Sequence, residues 1–189
     1  GDLHTGSIMT TANDTKIIDP EFAFFGPMGF DVGALIANLL MSFFSQNGYE
    51  ENIGDRSEYK EWILETINDV WNKFEIKFAK LWDEFPHGDA YPASMFENNK
   101  HIIKDEQKKF LKNIYKDSIG FAGAKIIRRI FGFAHNIDFE WIKNLEIRAS
   151  CESKCTNLGI QMQTKTDNFK DISSLIDMAK KLDKESISF

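Results

Sequence analysis

Three acidic side chains near the start of the chain have a spacing that suits chemistry on a phosphate group. Asp2 precedes Asp19 by 17 residues, and Glu21 follows shortly after. The turn-forming segment 11–14 would let the two parts fold back and bring the carboxylates together. Clustered carboxylates repel one another unless a cation lies between them, and their hard oxygen ligands favour Mg²⁺. A further carboxylate that does not bind the metal would orient a hydroxyl group and accept its proton. The spacing alone favours a different interpretation, because Asp and Asn in glycine-rich turns are common as caps and in Asx-turns.

Three cations form the second candidate site. Lys125, Arg128 and Arg129 lie at i, i+3 and i+4, and no acidic residue occurs between Asp117 and Asp138. On a helix these three side chains share one face, and a guanidinium binds phosphate oxygens and hydroxyls through its fork of donors. In a chain of net charge −6, three uncompensated cations indicate an anion-binding surface. They would also suit the C-terminal end of a helix dipole, or ion pairs with acids elsewhere in the fold.

The elements that must position these residues are mostly helical. A β-prone run at 16–18, set among the glycines and prolines of residues 1–29, predicts one short strand between loops. Apolar residues at three- and four-residue spacing predict helices over about 30–48, about 59–82, about 98 to an interruption at Gly120, 121–134, 138–144, 145–163 and 168–182. Pro86, Gly88 and Pro92 mark the break before the third helix. The fold class is therefore mainly α, α+β overall, with a small β patch at the start.

Composition excludes several classes of protein. The 189 residues, 42% of them hydrophobic, suffice for one core and one domain, and 17 phenylalanines suit a thick helical core. The acidic charge balance argues against a nucleic-acid partner, and no apolar run is long enough for a membrane span. Cys151 and Cys155 predict buried free thiols and not a zinc site. Without a signal-peptide pattern or a disulfide framework, the chain is predicted to be soluble and cytoplasmic.

The acidic motif resembles the catalytic and metal-binding segments of the protein-kinase-like small-molecule kinases, whose pattern is His-Gly-Asp followed by Asp-x-Glu. More narrowly, segments 1–7 (GDLHTGS) and 18–31 (IDPEFAFFGPMGFD) look like those of the methylthioribose kinases. Kinases at large have Asn five residues after the catalytic Asp, whereas Ser, found here as Ser7, is usual in the narrower family. Segment 124–135 (AKIIRRIFGFAH) is similar to the paired-arginine segment of the same family.

This resemblance implies a role for each acidic residue. Asp2 is the base or orienting carboxylate for the acceptor hydroxyl. Asp19 and Glu21, with Ser7, hold Mg²⁺ on the phosphates of ATP. The carboxylate of Glu21 would offset the loss of the Asn amide ligand, which Ser7 replaces in this chain. Asp31 is similar to the buried aspartate that braces the catalytic loop through backbone N–H groups, a role compatible with a plain helix cap.

The resemblance also implies the fold and the reaction. Residues 1–189 would form the C-terminal lobe of a protein-kinase-like fold, transferring the γ-phosphoryl group of ATP to the 1-hydroxyl of S-methyl-5-thioribose in methionine salvage. Arg128 and Arg129 would bind substrate near the transferred phosphoryl group, with His4 as a further substrate contact.

The parts of such a kinase that hold the nucleotide are expected upstream, in an N-terminal lobe outside this sequence. We therefore expect the chain alone to be a fragment with little or no kinase activity, with exposed apolar surface where that lobe docks. The sequence does not decide whether the protein forms a homodimer, which is common in the family.

Two alternatives to this function remain. One is another small-molecule kinase of this fold, acting on a sugar, choline or an aminoglycoside, which Ser7 and the paired arginines disfavour. The other is a non-catalytic helical binding module.

Overall fold

A central helix, α1 (Gly29–Ser45), organises the structure because it carries apolar residues around almost its whole circumference. The computed structural model describes residues 1–85, 90–96 and 100–185. The strands are β1 (Ile8–Thr10) and β2 (Thr15–Ile17), and the further helices are α2 (Ser57–Glu84), α3 (Lys100–Phe131), α4 (Ile137–Glu140), α5 (Leu145–Thr164) and α6 (Ile172–Lys184). Short 3₁₀ turns span Thr5–Ser7, Pro20–Phe22, Gln46–Tyr49, Ala93–Met95 and Thr166–Asn168. The prediction of a mainly α fold with a small β patch at its start is confirmed.

The β patch is a hairpin. Strands β1 and β2 pair antiparallel, with Ile8 opposite Ile17. The predicted turn at 11–14 is present: Thr11 Oγ1 accepts hydrogen bonds from the backbone N–H groups of Asn13 and Asp14. The sequence predicted only one strand, at 16–18, because three residues such as Ile8–Thr10 are too short to show alternation. The hairpin brings the segment that contains Asp19 back to the start of the chain.

Helices α1 and α3 approach so closely that side chains have no room between them. A Cβ atom on Gly33 would lie 2.4 Å from the carbonyl oxygen of Ser118, and one on Gly29 would lie 2.7 Å from the Ser118 nitrogen. Neither backbone atom can move aside without displacing a helix. Glycine at these two positions therefore fixes the spacing between the first turn of α1 and the second half of α3.

The prediction that Gly120 interrupts the third helix is wrong. Helix α3 runs without a break from Lys100 to Phe131. A glycine inside a helix costs only about 1 kcal/mol relative to alanine, and the burial of the flanking residues Ile119 and Ala122 outweighs that cost. Asn98, the predicted start of the helix, lies outside the described residues, as do Pro86 and Gly88 of the predicted break.

Two helix boundaries at the end of the chain differ from the predictions. Helix α6 begins at Ile172 and not at 168, because Asp171 caps it: the Ser174 N–H donates to Asp171 Oδ1 at 2.8 Å, and Ser174 Oγ accepts from the Asp171 N–H at 3.2 Å. This reciprocal capping box satisfies backbone donors that a longer helix would have paired internally. The helix predicted over 138–144 is the single turn α4.

The phenylalanines do not all lie in the core, contrary to the expectation from composition. The exposed ones are Phe22, Phe24, Phe25, Phe85, Phe131 and Phe133. The first three follow the hairpin, in the segment before α1, where Phe24 packs edge to face against Phe30 of α1. An apolar surface therefore lies beside Asp19.

The two cysteines are free and buried, as predicted. Burial raises the pKa of the Cys151 thiol to about 11, and it also raises the pKa of the Cys155 thiol well above its usual value. Among the described residues, no helix combines the length and the apolar character that crossing a bilayer requires.

The glycine contact between α1 and α3 generates a prediction. Gly33→Ala should lower the free energy of unfolding by about 1–3 kcal/mol, because its methyl group would clash with a backbone carbonyl. Gly120→Ala is the matched control: no atom lies within 4 Å of its Cβ position, so this variant should be neutral or up to about 1 kcal/mol more stable. Urea unfolding measures both. Equal effects at the two positions would contradict the close approach of the helices.

Candidate functional site

Two candidate aspartates adopt a backbone conformation that L-residues rarely take. Asp2 has φ 73° and Asp19 has φ 62°, and within the described ranges they are the only non-glycine residues with positive φ. Such conformations cost about 1–3 kcal/mol each and cluster at functional sites, where the surrounding structure enforces them. Both aspartates line one cleft of about 200 Å³, together with Ser7. The fold thus brings together three residues that the sequence predicted to act together.

Asp31 braces the segment that carries Asp2. Its Oδ1 accepts a hydrogen bond from the Leu3 N–H at 2.9 Å, and its Oδ2 lies 3.3 Å from the backbone nitrogen of Gly1. The brace predicted through backbone N–H groups is therefore present. Two details differ: the carboxylate is 41% exposed and not buried, and it lies within the first turn of α1, after the N-cap residue Met28.

Lys125 forms an ion pair with Asp2. The expectation of three cations without counter-charges is therefore wrong for Lys125. Its Nζ lies 2.9 Å from Asp2 Oδ1, and its side chain is only 10% exposed. Burial raises the pKa of Asp2, but the hydrogen bond and charge of Lys125, helped by His4 and Arg128, outweigh burial and lower it overall. The Asp2 carboxyl therefore stays ionised at neutral pH.

A larger cleft of about 580 Å³ also has Asp2 in its lining, with a polar end and an apolar wall. The polar end holds Asp2, Lys125 and Arg128. The aromatic residues of the wall are Phe22, Phe24, Phe30 and Phe121. The ring of Phe30 packs edge to face against those of Phe24 and Phe121, at centroid distances of 5.6 and 5.2 Å. This cleft suits a small molecule that has hydroxyl or anionic groups at one end and an apolar group at the other.

Three predicted site residues line neither cleft. Glu21 is exposed in the 3₁₀ turn Pro20–Phe22. His4 lies beside Ser7, with 3.3 Å between Nε2 and Oγ. Arg129 interacts electrostatically with Asp138: burial raises the pKa of that carboxyl, and a hydrogen bond with Asn136 and then the charge of Arg129 partly offset the rise. Of the paired arginines, only Arg128 lines the cleft with Asp2.

The oxygen donors of the smaller cleft fit a magnesium ion. Mg²⁺ is usually held by one or two carboxylates and completes its shell with water and substrate phosphates. Asp19 and Asp2 supply carboxylates in this cleft, and Ser7 supplies a hydroxyl. In the part of the chain that the structure describes, no group of three His, Cys, Asp or Glu side chains is arranged to hold a metal.

Two features of the site were not predicted from sequence. The pairing of Lys125 with Asp2 joins residues 123 positions apart, and no local pattern encodes such a contact. The aromatic wall combines Phe22 and Phe24 from the hairpin region with Phe121 from α3. The alternation of Phe22 with Phe24 was a signal for one side of this wall, but composition assigned both to the core.

Comparison with known proteins extends the resemblance over nearly the whole chain. Methylthioribose kinase 1 of Oryza sativa subsp. japonica is 44% identical over 187 residues, 98% of this chain and 43% of that protein. The methylthioribose kinase of Escherichia coli O45:K1 is 42% identical over 180 residues, and that of Bacillus velezensis is 35% identical over 180 residues. No model of a known protein family matches the chain.

The fold and the paired clefts thus define a helical lobe of the kind expected in a protein-kinase-like enzyme. The chain is a relative of the methylthioribose kinases, and the resemblance seen in its motifs is confirmed. It spans about two-fifths of the length of the curated relatives it matches.

The brace at Asp31 generates a prediction. Asp31→Ala should lower the free energy of unfolding by about 1–2 kcal/mol and speed hydrogen exchange at the Leu3 amide, because that N–H loses a charged acceptor. Asp31→Asn keeps one oxygen acceptor, so it should retain part of the protection. Amide hydrogen exchange followed by NMR measures both variants. Unchanged exchange at Leu3 in Asp31→Ala would contradict the brace.

Proposed function

We propose that the full-length protein carrying these residues is an ATP-dependent kinase of S-methyl-5-thioribose that phosphorylates its 1-hydroxyl in methionine salvage. The observation that carries the proposal is the cleft that Asp2, paired with Lys125, lines together with Arg128 and several aromatic side chains. A methylthio group is apolar and a ribose ring is hydroxylated, so the two ends of the cleft match the two ends of this substrate. The names of the relatives support the same substrate.

The chemical step follows from the position of Asp2. The acceptor hydroxyl oxygen forms a bond to the γ-phosphorus, and the bond from that phosphorus to the bridging oxygen breaks, with its electron pair leaving on ADP. The hydroxyl proton passes to Asp2 and then to solvent. Because the pKa of Asp2 is lowered, the carboxylate mainly orients the hydroxyl. This suits a loose transition state that needs little base strength.

The cations and the metal complete the proposed site. Asp19, with Asp2 and Ser7 nearby, would hold Mg²⁺, and Glu21 is a further ligand candidate from the adjacent turn. When bound, Mg²⁺ would neutralise negative charge on the phosphate oxygens. Arg128 would bind the transferred phosphoryl group or a substrate hydroxyl through its fork of donors.

An upstream N-terminal lobe would provide the nucleotide-binding half of the site. We infer that it docks near the hairpin, where Met9, Ile17, Phe22 and Phe25 expose apolar surface. The enzyme would work in the cytoplasm, where ATP is available. Residues 1–189 alone would then show little turnover, and the native mass of the full-length protein would report whether it forms the homodimer common in the family.

Turnover of ATP with S-methyl-5-thioribose tests the proposal. The full-length protein should be active with Mg²⁺, and Asp2→Asn should lower kcat about 10²–10⁴-fold, because the acceptor hydroxyl loses its orienting carboxylate. Asp14→Asn, in the exposed hairpin turn, is the matched control and should leave kcat unchanged. Preference for another sugar, choline or an aminoglycoside would replace the proposed substrate. No turnover of any acceptor, with retained binding of a protein partner, would favour a binding module.

The two arginines should differ in their effect. Arg128→Ala should lower kcat/KM about tenfold or more, because it removes a charged donor from the cleft. Arg129→Ala should have a smaller effect, since that side chain interacts with Asp138 and does not line the cleft. Steady-state kinetics of the two variants measures the difference. An equal or larger loss in Arg129→Ala would contradict the assignment of the substrate contact to Arg128.

A further inference from the structure

The side chain of Asp2 has one strong partner in the described structure. Lys125 Nζ lies 2.9 Å from Oδ1, whereas Oδ2 accepts no hydrogen bond from any described residue. The backbone of the same segment is held separately, because Asp31 accepts the Leu3 N–H. One aspartate on α1 thus fixes the main chain at Asp2, and one lysine on α3 fixes its carboxylate.

Lys125 is suited to a fixed position. Its side chain is 10% exposed, compared with 45% for Asp2, so the lysine stem is held in the protein while the carboxylate faces the clefts. An ammonium that is this little exposed is costly to leave without a counter-charge, and this cost keeps the pair closed. Arg128, one turn further along α3, is exposed and remains available to a ligand.

We propose that Lys125 is a positioning residue: its ammonium group occupies Asp2 Oδ1, so that Oδ2 alone is presented to the acceptor hydroxyl. This inference rests on the proposed kinase function. It assigns to the third cation of the sequence a role distinct from that of the arginines, since Lys125 acts through Asp2 and needs no contact with the substrate. Loss of the ammonium would let the carboxylate rotate and would misplace the hydroxyl relative to the γ-phosphorus.

A rival explanation is that the ion pair only joins the N-terminal segment to α3. A purely structural pair would change stability without changing kcat per folded molecule. A substrate-binding lysine would change KM for the acceptor. A positioning lysine changes kcat with little change in KM, and arginine restores part of the effect because its guanidinium can still hold one carboxylate oxygen.

The test uses the full-length protein with the variants Lys125→Met, Lys125→Gln and Lys125→Arg. In Lys125→Met we expect kcat to fall about 10–100-fold at nearly unchanged KM, and Lys125→Arg to recover most of it. Lys125→Gln keeps a polar stem and supplies the measurement if the methionine variant does not fold. The matched control is Lys73→Met, which breaks an exposed ion pair with Asp69 on α2 and should leave kcat unchanged. A loss confined to stability, or a rise in KM alone, would overturn the proposal.

Failure of the kinase function itself would be visible separately. If the wild-type protein turned over no acceptor, the reaction proposed above would be wrong, and the role of Lys125 would fall with it. If the wild type were active and kcat of Lys125→Met were unchanged, the reaction would stand and only the role of Lys125 would be wrong.

Discussion

The contact between α1 and α3 is the constraint on which the site depends. Each helix carries one of the two groups that hold Asp2: Asp31 lies in the first turn of α1, and Lys125 lies in the second half of α3. Their separation is set by Gly29 and Gly33, whose missing side chains let the two backbones meet. Because neither helix can shift without a clash or a gap, the carboxylate between them has a defined position.

Electrostatics decides what this position can be used for. An aspartate near an apolar wall would ordinarily gain a proton more easily, since burial disfavours its charge. Lys125 reverses that tendency at Asp2, and Arg128 adds to the effect. The result is a weakly basic, ionised carboxylate in a cationic surrounding. Such a group is better suited to holding a hydroxyl in place than to removing its proton from a resting molecule.

Local sequence predicted the elements well and the contacts between them less well. The helices α1, α2 and α5 were found from their apolar spacing, and the turn at 11–14 from its Thr, Asn and Asp residues, since both signals lie within a few residues. The predicted interruption at Gly120 was wrong because tertiary packing along α3 outweighs the effect of a single helix breaker. The partnership of Lys125 with Asp2 was hidden for a different reason: only the folded chain brings these two residues together.

The left-handed backbone of Asp2 and Asp19 limits how this segment can evolve. Glycine and asparagine adopt positive φ more easily than most residues, so they would relieve part of the conformational cost at either position. Each such change would also remove a carboxylate from the clefts. Stability and chemistry therefore favour different residues at the same two sites. A variant made more heat-resistant at either position would lose one of the acidic groups that line the clefts.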